Sequence, residues 1–370
     1  MDINKNTQKK ENKLLKFSPF IVGGIIGIII SSKGSSLGWL SNINFGVLVV
    51  TMLVWGFIEI NIHEFGHFVF GKKAKFKLLR YALGCLYWKN ENNKIKFQVK
   101  IHKGCGGFCE MIPEKEPTKK ELVWFIAGGV IFNSISLGIL LLLKIFLIQK
   151  NSIFMDIVNG AIFINLVFII SNALPIKMEN ISTDGRVIYS LLRNKPYGKI
   201  FMKIMSYDGK IIKGIRPKDI DIDLNDIEYN AKEFGPHINI MLYHEALDKK
   251  DYEKLKEIVD HIEKNLKLIP SYAAQEIYNE LVYYYSSILL NKEKCEQYYK
   301  LAKKELVNDM TPLGRRTIAA YSIFIENNME KGKKCIEEGL QCIHTQIEKG
   351  RALLNEELLK QLAIEIRSEA

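Results

Sequence analysis

The sequence predicts a mainly α-helical chain: a polytopic membrane core of about four spans carrying a small β-hairpin, followed by a cytosolic domain of helical repeats. Three observations predict it. The 370 residues are 48% hydrophobic on average, but the apolar ones concentrate before about residue 175 and the charged ones after it. Four nearly uncharged runs, 17–32, 34–58, 122–143 and 157–176, approach the roughly 20 residues that cross a hydrocarbon core. Beyond residue 236, three similar helix-turn-helix patterns place their turns near 249, 292 and 328.

The first run begins with lysines, as a signal peptide does, but no clear small-residue cleavage site follows, so an uncleaved helix is expected. Loop charge orients the spans. Residues 1–16 hold five lysines and the 71–121 loop thirteen Lys and Arg, against one each in 32–43 and 149–152. Lys and Arg are retained on the cytoplasmic side, so both termini and the long loop are expected there, in a multi-pass protein of the cell membrane. The net charge of +11 fits an anionic membrane surface. It lacks the aromatic interleaving and motifs of nucleic-acid binding, so no nucleic-acid partner is expected. Lys-, Asn- and Ile-rich usage points to an AT-rich bacterial source. Six cysteines in so long a chain do not form a disulfide framework, and reduced thiols are expected.

Within the 71–121 loop, KIKFQVKIH (94–102) alternates polar and apolar residues as a half-buried strand does. YALGCLYW is its expected partner and NENN the turn. Cys105 and Cys109 in GCGGFC have no second Cys or His pair nearby, which argues against another metal site. The expected division is a membrane domain over 1–195, a polar connector over 196–235 and helical repeats over 236–370. The repeats resemble tetratricopeptide-type units without their full consensus, and stacked helix pairs of that kind form a protein-binding module for a cytosolic partner. His237, His244, His261 and His344 are expected on solvated faces there.

The chemistry lies in WGFIEINIHEFGHFVF, residues 55–70. Ionisable groups at bilayer depth are costly and rarely without function. On a helix, residues four apart share a face, so His63 and His67 reach one ion while Glu64, one step round, is placed as a general base. A catalytic zinc usually takes three protein ligands. The third is sought in SNALPIKMENISTDGRVI, with Asp184 as the candidate and Glu179 as its rival. Glu59, four residues before His63, holds a ligand imidazole, lines a water path, or is a plain inward-facing polar residue.

Here the chain resembles the site-2 protease family of intramembrane zinc metalloproteases, whose second motif, Asn-x-x-Pro followed by Asp-Gly, is matched by Asn172, Pro175, Asp184 and Gly185. AGGVIFN is similar to a Gly-Gly-Pro-x-x-Asn signature of some members, with Asn133 as its asparagine and Val130 in place of the proline. The resemblance covers roughly residues 40–195. It implies one catalytic Zn2+ on His63, His67 and Asp184, Glu64 as the base, and Asn172 holding substrate or the developing oxyanion. It further implies a membrane-spanning protein or peptide substrate, the lipid bilayer around it, and a β-hairpin that pairs with substrate. The alternatives are a catalytically idle scaffold whose repeats recruit partners, and a transporter. Intact Glu64 and Asp184 disfavour the first, and four spans without internal symmetry disfavour the second.

Overall fold

The computed structural model describes residues 45–91, 94–99, 106–147, 153–178, 181–221, 234–269 and 271–369. These form a mainly helical chain with a small antiparallel sheet. Three long helices lead: α1 (Phe45–Lys73), α2 (Lys119–Leu147) and α3 (Ile153–Ala173). Two described helices, α2 over Lys119–Phe146 and α3, are long and apolar enough to cross a membrane. They match the third and fourth expected spans. The described part of the second belongs to α1, where Glu59, Asn61, His63 and Glu64 interrupt the apolar run, and the first lies outside the described residues.

The chain divides into two compact units. In one, whose described residues are 45–56, 137–147 and 153–164, Leu140, Ala161 and Ile162 are buried against Trp55, Leu137 and Val158. Its Leu142, Phe146 and Phe154 stay exposed, as lipid-facing side chains do. The other, residues 57–136 and 165–370, holds everything that follows.

The sheet has four strands, β1 (Phe76–Leu83), β2 (Leu86–Glu91), β3 (Lys94–Val99) and β4 (Gly107–Pro113), in the order β3-β2-β1-β4. YALGCLYW is therefore not one strand. Leu83 pairs with Leu86, and Gly84 at φ 57° with Cys85 makes the tight turn between β1 and β2. The alternation of β3 does not bring half-burial either. It is an edge strand exposed along its whole length, because only β2 adjoins it. Register places Tyr81, Trp88 and Phe97 in a ring ladder on one face, with centroids 5.8 and 5.4 Å apart. Lys96, Lys89, Arg80 and Glu110 line the other.

Behind the sheet, α4 (Asp184–Leu192) and α5 (Pro196–Lys213) close a core of Phe76, Leu78, Met111, Leu122, Phe125, Val187, Leu191 and Met205. Thus the described part of the expected polar connector is largely helix. Ile200, Ile204, Tyr207 and Ile211, spaced 4, 3 and 4 apart, form an apolar stripe that enters the core of the helical region. Gly214 at φ 95° ends the helix.

Three helical hairpins follow: α6 (Gly235–Lys249) with α7 (Tyr252–Lys264), α8 (Ser271–Tyr283) with α9 (Lys292–Leu306), and α10 (Pro312–Phe324) with α11 (Met329–Cys342); α12 (Lys349–Glu369) packs last. Each turn uses one device. Lys250, Leu290 and Asn327 take left-handed conformations, and the next residue, Asp251, Asn291 or Asn328, accepts a hydrogen bond from the backbone of Lys254, Lys294 or Lys331. The repeated Asp/Asn-x-Glu-Lys is the sequence trace of these caps. The expectation of solvated histidines fails at His244, which is 2% exposed. Residues 238–248 of α6 are all buried, so that helix has no solvated face. His244 Nε2 lies 2.8 Å from Glu280, whose other oxygen accepts from Arg316, and Arg316 also donates to Asn355.

Candidate metal centre

His63 and His67 lie one turn apart on α1 with rings 4.8 Å apart. Their orientation is set by what their Nδ1 atoms meet. His67 Nδ1 is 3.0 Å from the backbone carbonyl of Phe125, and His63 Nδ1 is 2.7 Å from Asn133 Oδ1. Both neighbours are acceptors, so each imidazole carries its proton on Nδ1 and turns the Nε2 lone pair the other way. Glycine makes this approach possible. A Cβ on Gly66 would lie 2.2 Å from the Gly128 carbonyl oxygen, so α1 and α2 cross in backbone contact, and a Cβ on Gly129 would meet the His63 ring at 2.5 Å. The two glycines of AGGVIFN therefore have separate duties, one for the helix crossing and one for the imidazole.

Asp184 arrives from the first turn of α4, where Thr183 caps the helix by accepting from Arg186 N. A Cβ on Gly185 would fall 1.9 Å from Ala173 O, so this glycine lets the start of α4 press against the end of α3. Part of the wide spacing between Asn172 and Asp184 is taken up by a two-residue hairpin, β5 (Lys177–Met178) with β6 (Ile181–Ser182). Glu179, the rival ligand, lies outside the described residues. So does Cys105.

His63 Nε2, His67 Nε2 and Asp184 Oδ2 form a triangle with edges of 3.2, 3.1 and 3.4 Å. Two lone pairs and an anionic oxygen facing one another repel unless a cation or protons lie between them. In a four-coordinate zinc site, with bonds of about 2.0–2.2 Å, neighbouring donor atoms stand about 3.4 Å apart, and the triangle fits one face of that tetrahedron. Among the described residues this is the group of His, Cys, Asp and Glu placed to hold a metal.

Glu64 completes the site's edge. The backbone N–H of Cys109 in β4 donates to its carboxylate, and Gly107 packs on its side chain. The sheet edge that meets this glutamate is thus β4. Asn172 is half-buried with its amide on the Phe168 carbonyl of its own helix, 2.9 Å away. The asparagine in contact with His63 is Asn133. Its Nδ2 donates to Glu59, which also accepts from Ser136 and Asn165. Ser136 and Asn165 escaped the sequence reading, although a polar residue inside an otherwise apolar span is a signal of its own.

Residues 46–267, more than half of the chain, match the profile of peptidase family M50. The chain belongs to peptidase family M50. The M50 match runs from the start of α1 past the end of α7, so it takes in α5 and the first helical hairpin, beyond the stretch in which the motifs lie. M50 is the site-2 protease family, whose members are membrane metalloproteases and generally zinc-dependent. No curated protein and no solved structure matches the chain.

Proposed function

We propose that this M50 member is a site-2-type intramembrane zinc metalloendopeptidase, cutting peptide bonds within or near transmembrane segments of membrane-bound proteins or peptides. One observation carries the reading: three candidate ligand atoms converge 3.1–3.4 Å apart, two of them with a glutamate between on a helix too apolar to hold such groups idly. In this reading His63, His67 and Asp184 hold one zinc, which when bound supplies Lewis-acid activation of water and of the scissile carbonyl. Glu64 takes a proton from the attacking water and returns it to the leaving amine. Cys109 N–H orients the Glu64 carboxylate from the free side of β4. That strand edge holds the substrate segment in extended form through main-chain bonds, a mode that recognises backbone more than side chains. Asn172, its amide engaged by Phe168, offers its carbonyl oxygen to a substrate N–H.

The wider arrangement follows. Residues 1–195 form the membrane-embedded protease, and its long loop and both termini face the cytoplasm. Residues 236–370 form a repeat domain that meets a cytosolic protein partner or the cytosolic part of the substrate, with α5 fastening the two.

The test uses full-length protein in nanodiscs with a transmembrane peptide substrate and metal analysis. Wild type is expected to hold one zinc per chain. Glu64→Gln is expected to keep it and lose about 10²–10⁴-fold in cleavage rate, whereas Asp184→Asn is expected to lose the metal. Undiminished proteolysis by Glu64→Gln, or full zinc in Asp184→Asn, would sink the assignment.

A further inference from the structure

We infer that Glu59 is a positioning residue for the metal, acting through Asn133 on His63; the inference rests on the metal site proposed above. Glu59 lies one helical turn before His63 on α1 and is fully buried, 0% exposed. Three groups from two other helices converge on its carboxylate. Asn133 Nδ2 donates to Oε2 at 2.5 Å, while Ser136 Oγ and Asn165 Nδ2 each donate to Oε1 at 2.7 Å. Asn133 also reaches the Glu59 backbone carbonyl, at 3.2 Å.

This donor set fixes which way the Asn133 amide points. Its nitrogen is held by two Glu59 oxygens, so its oxygen faces His63 Nδ1 at 2.7 Å. An acceptor there keeps the His63 proton on Nδ1 and the lone pair on Nε2. The carboxylate at the far end polarises the amide and makes it a stronger acceptor, which in turn makes His63 a better ligand. The two imidazoles are thus secured by different means. His67 leans on the Phe125 carbonyl, which no side-chain substitution removes, whereas His63 depends on a side-chain relay that ends at Glu59.

A carboxylate that only tied the three helices together would tolerate replacement by a carboxamide, so zinc affinity in a chelator competition separates the two roles. In Glu59→Gln, Ser136 and Asn165 keep their acceptor, but the new amide nitrogen confronts Asn133 Nδ2. Asn133 then turns over and presents its nitrogen to His63. Zinc affinity is expected to fall by about 10- to 100-fold, and the visible band of the cobalt-substituted protein to shift. Adding Asn133→Asp supplies an acceptor for both the new carboxamide and His63 Nδ1. The double variant is expected to recover most of the affinity and the wild-type cobalt band. Wild-type affinity in folded Glu59→Gln, or a double variant no better than the single one, overturns the inference. If Glu59→Gln does not accumulate, Ser136→Ala removes one tether in the same assay and is expected to weaken zinc several-fold, with unchanged affinity again overturning it. A wild-type chain that binds no zinc would instead mark failure of the metal site itself.

Discussion

The helical hairpins and the candidate metal centre both bury ionisable side chains, but they do so in opposite ways. In the hairpins, Glu280 accepts from Arg316 and faces His244, and Arg316 lies over the Tyr283 ring 4.2 Å from its centroid. Anion meets cation, and the charges compensate one another inside the protein. At the candidate metal centre, His63, His67 and Asp184 turn lone pairs toward one another, while the other ring nitrogens of the two histidines are held by an amide and a carbonyl oxygen from behind. A buried cluster that balances itself is scaffold. One whose acceptors converge without a donor needs something the chain does not supply, and that difference separates a site from a core more reliably than the presence of charge does.

The comparison breaks first at its centres. Arg316→Ala strands a buried carboxylate, at a cost of about 3–5 kcal/mol, and is expected to lower the unfolding midpoint by on the order of 10 °C while zinc per folded chain is unchanged. His67→Ala is expected to do the reverse, removing the metal and the proteolysis while the fold persists. Parallel metal analysis and thermal unfolding decide it, and zinc loss in folded Arg316→Ala would mean that the two regions are not independent.

A smaller effect is expected where the site is braced. In Gly185→Ala the new methyl meets the Ala173 carbonyl, so the start of α4 must move and Asp184 with it. A displacement near 1 Å costs cleavage about 10²-fold. Peptide turnover measures it, and Gly185→Ser should be no better. Wild-type turnover in either variant would show that α4 has slack the packing does not reveal.

The smallest effect is one of pH in the hairpins. Burial pushes the Glu348 carboxyl up to about 7, with Glu276 and Asp208 adding to the rise against the pull of Arg351. The folded state therefore holds this proton more tightly than the unfolded chain, whose carboxyl titrates near 4.5. The stability this contributes is complete below about pH 4.5 and is lost as pH rises through about 7. Glu348→Gln, uncharged throughout, is expected to melt a few degrees above wild type at pH 8 and to lose that advantage at pH 5. A difference independent of pH would contradict this.

The candidate ligand pair and the glutamate beside it were legible in the sequence because four-residue spacing on a helix is a local fact: once 63–67 is helical, His63 and His67 share a face whatever surrounds them. The hairpin turns were legible for the same reason, since Asp251, Asn291 and Asn328 cap helices through bonds to the residue three along. The stripe of α5 was equally local but was hidden by the lysines between its isoleucines. Misreadings came where a residue's neighbours are distant in the chain. The period of two in 94–99 marks a strand but cannot say which sheet faces will be covered, so an exposed edge was read as half-buried, and β4 was not singled out as the edge beside Glu64.

By itself, then, the sequence determined the two imidazoles, the glutamate between them, the apolar helices that carry them and the helical hairpins that follow. Only the tertiary structure decided that Asp184 is the carboxylate within 3.4 Å of both imidazoles, that Asn133 reaches His63 while Asn172 bonds Phe168 of its own helix, and that Glu59, Ser136 and Asn165 stand behind Asn133. Hydrogen-bonded helix geometry repeats every 3.6 residues and can be read along the chain. The meeting of residues 70 or 106 apart depends on how closely helices approach, which at this site comes down to glycines with no Cβ to hold the backbones apart.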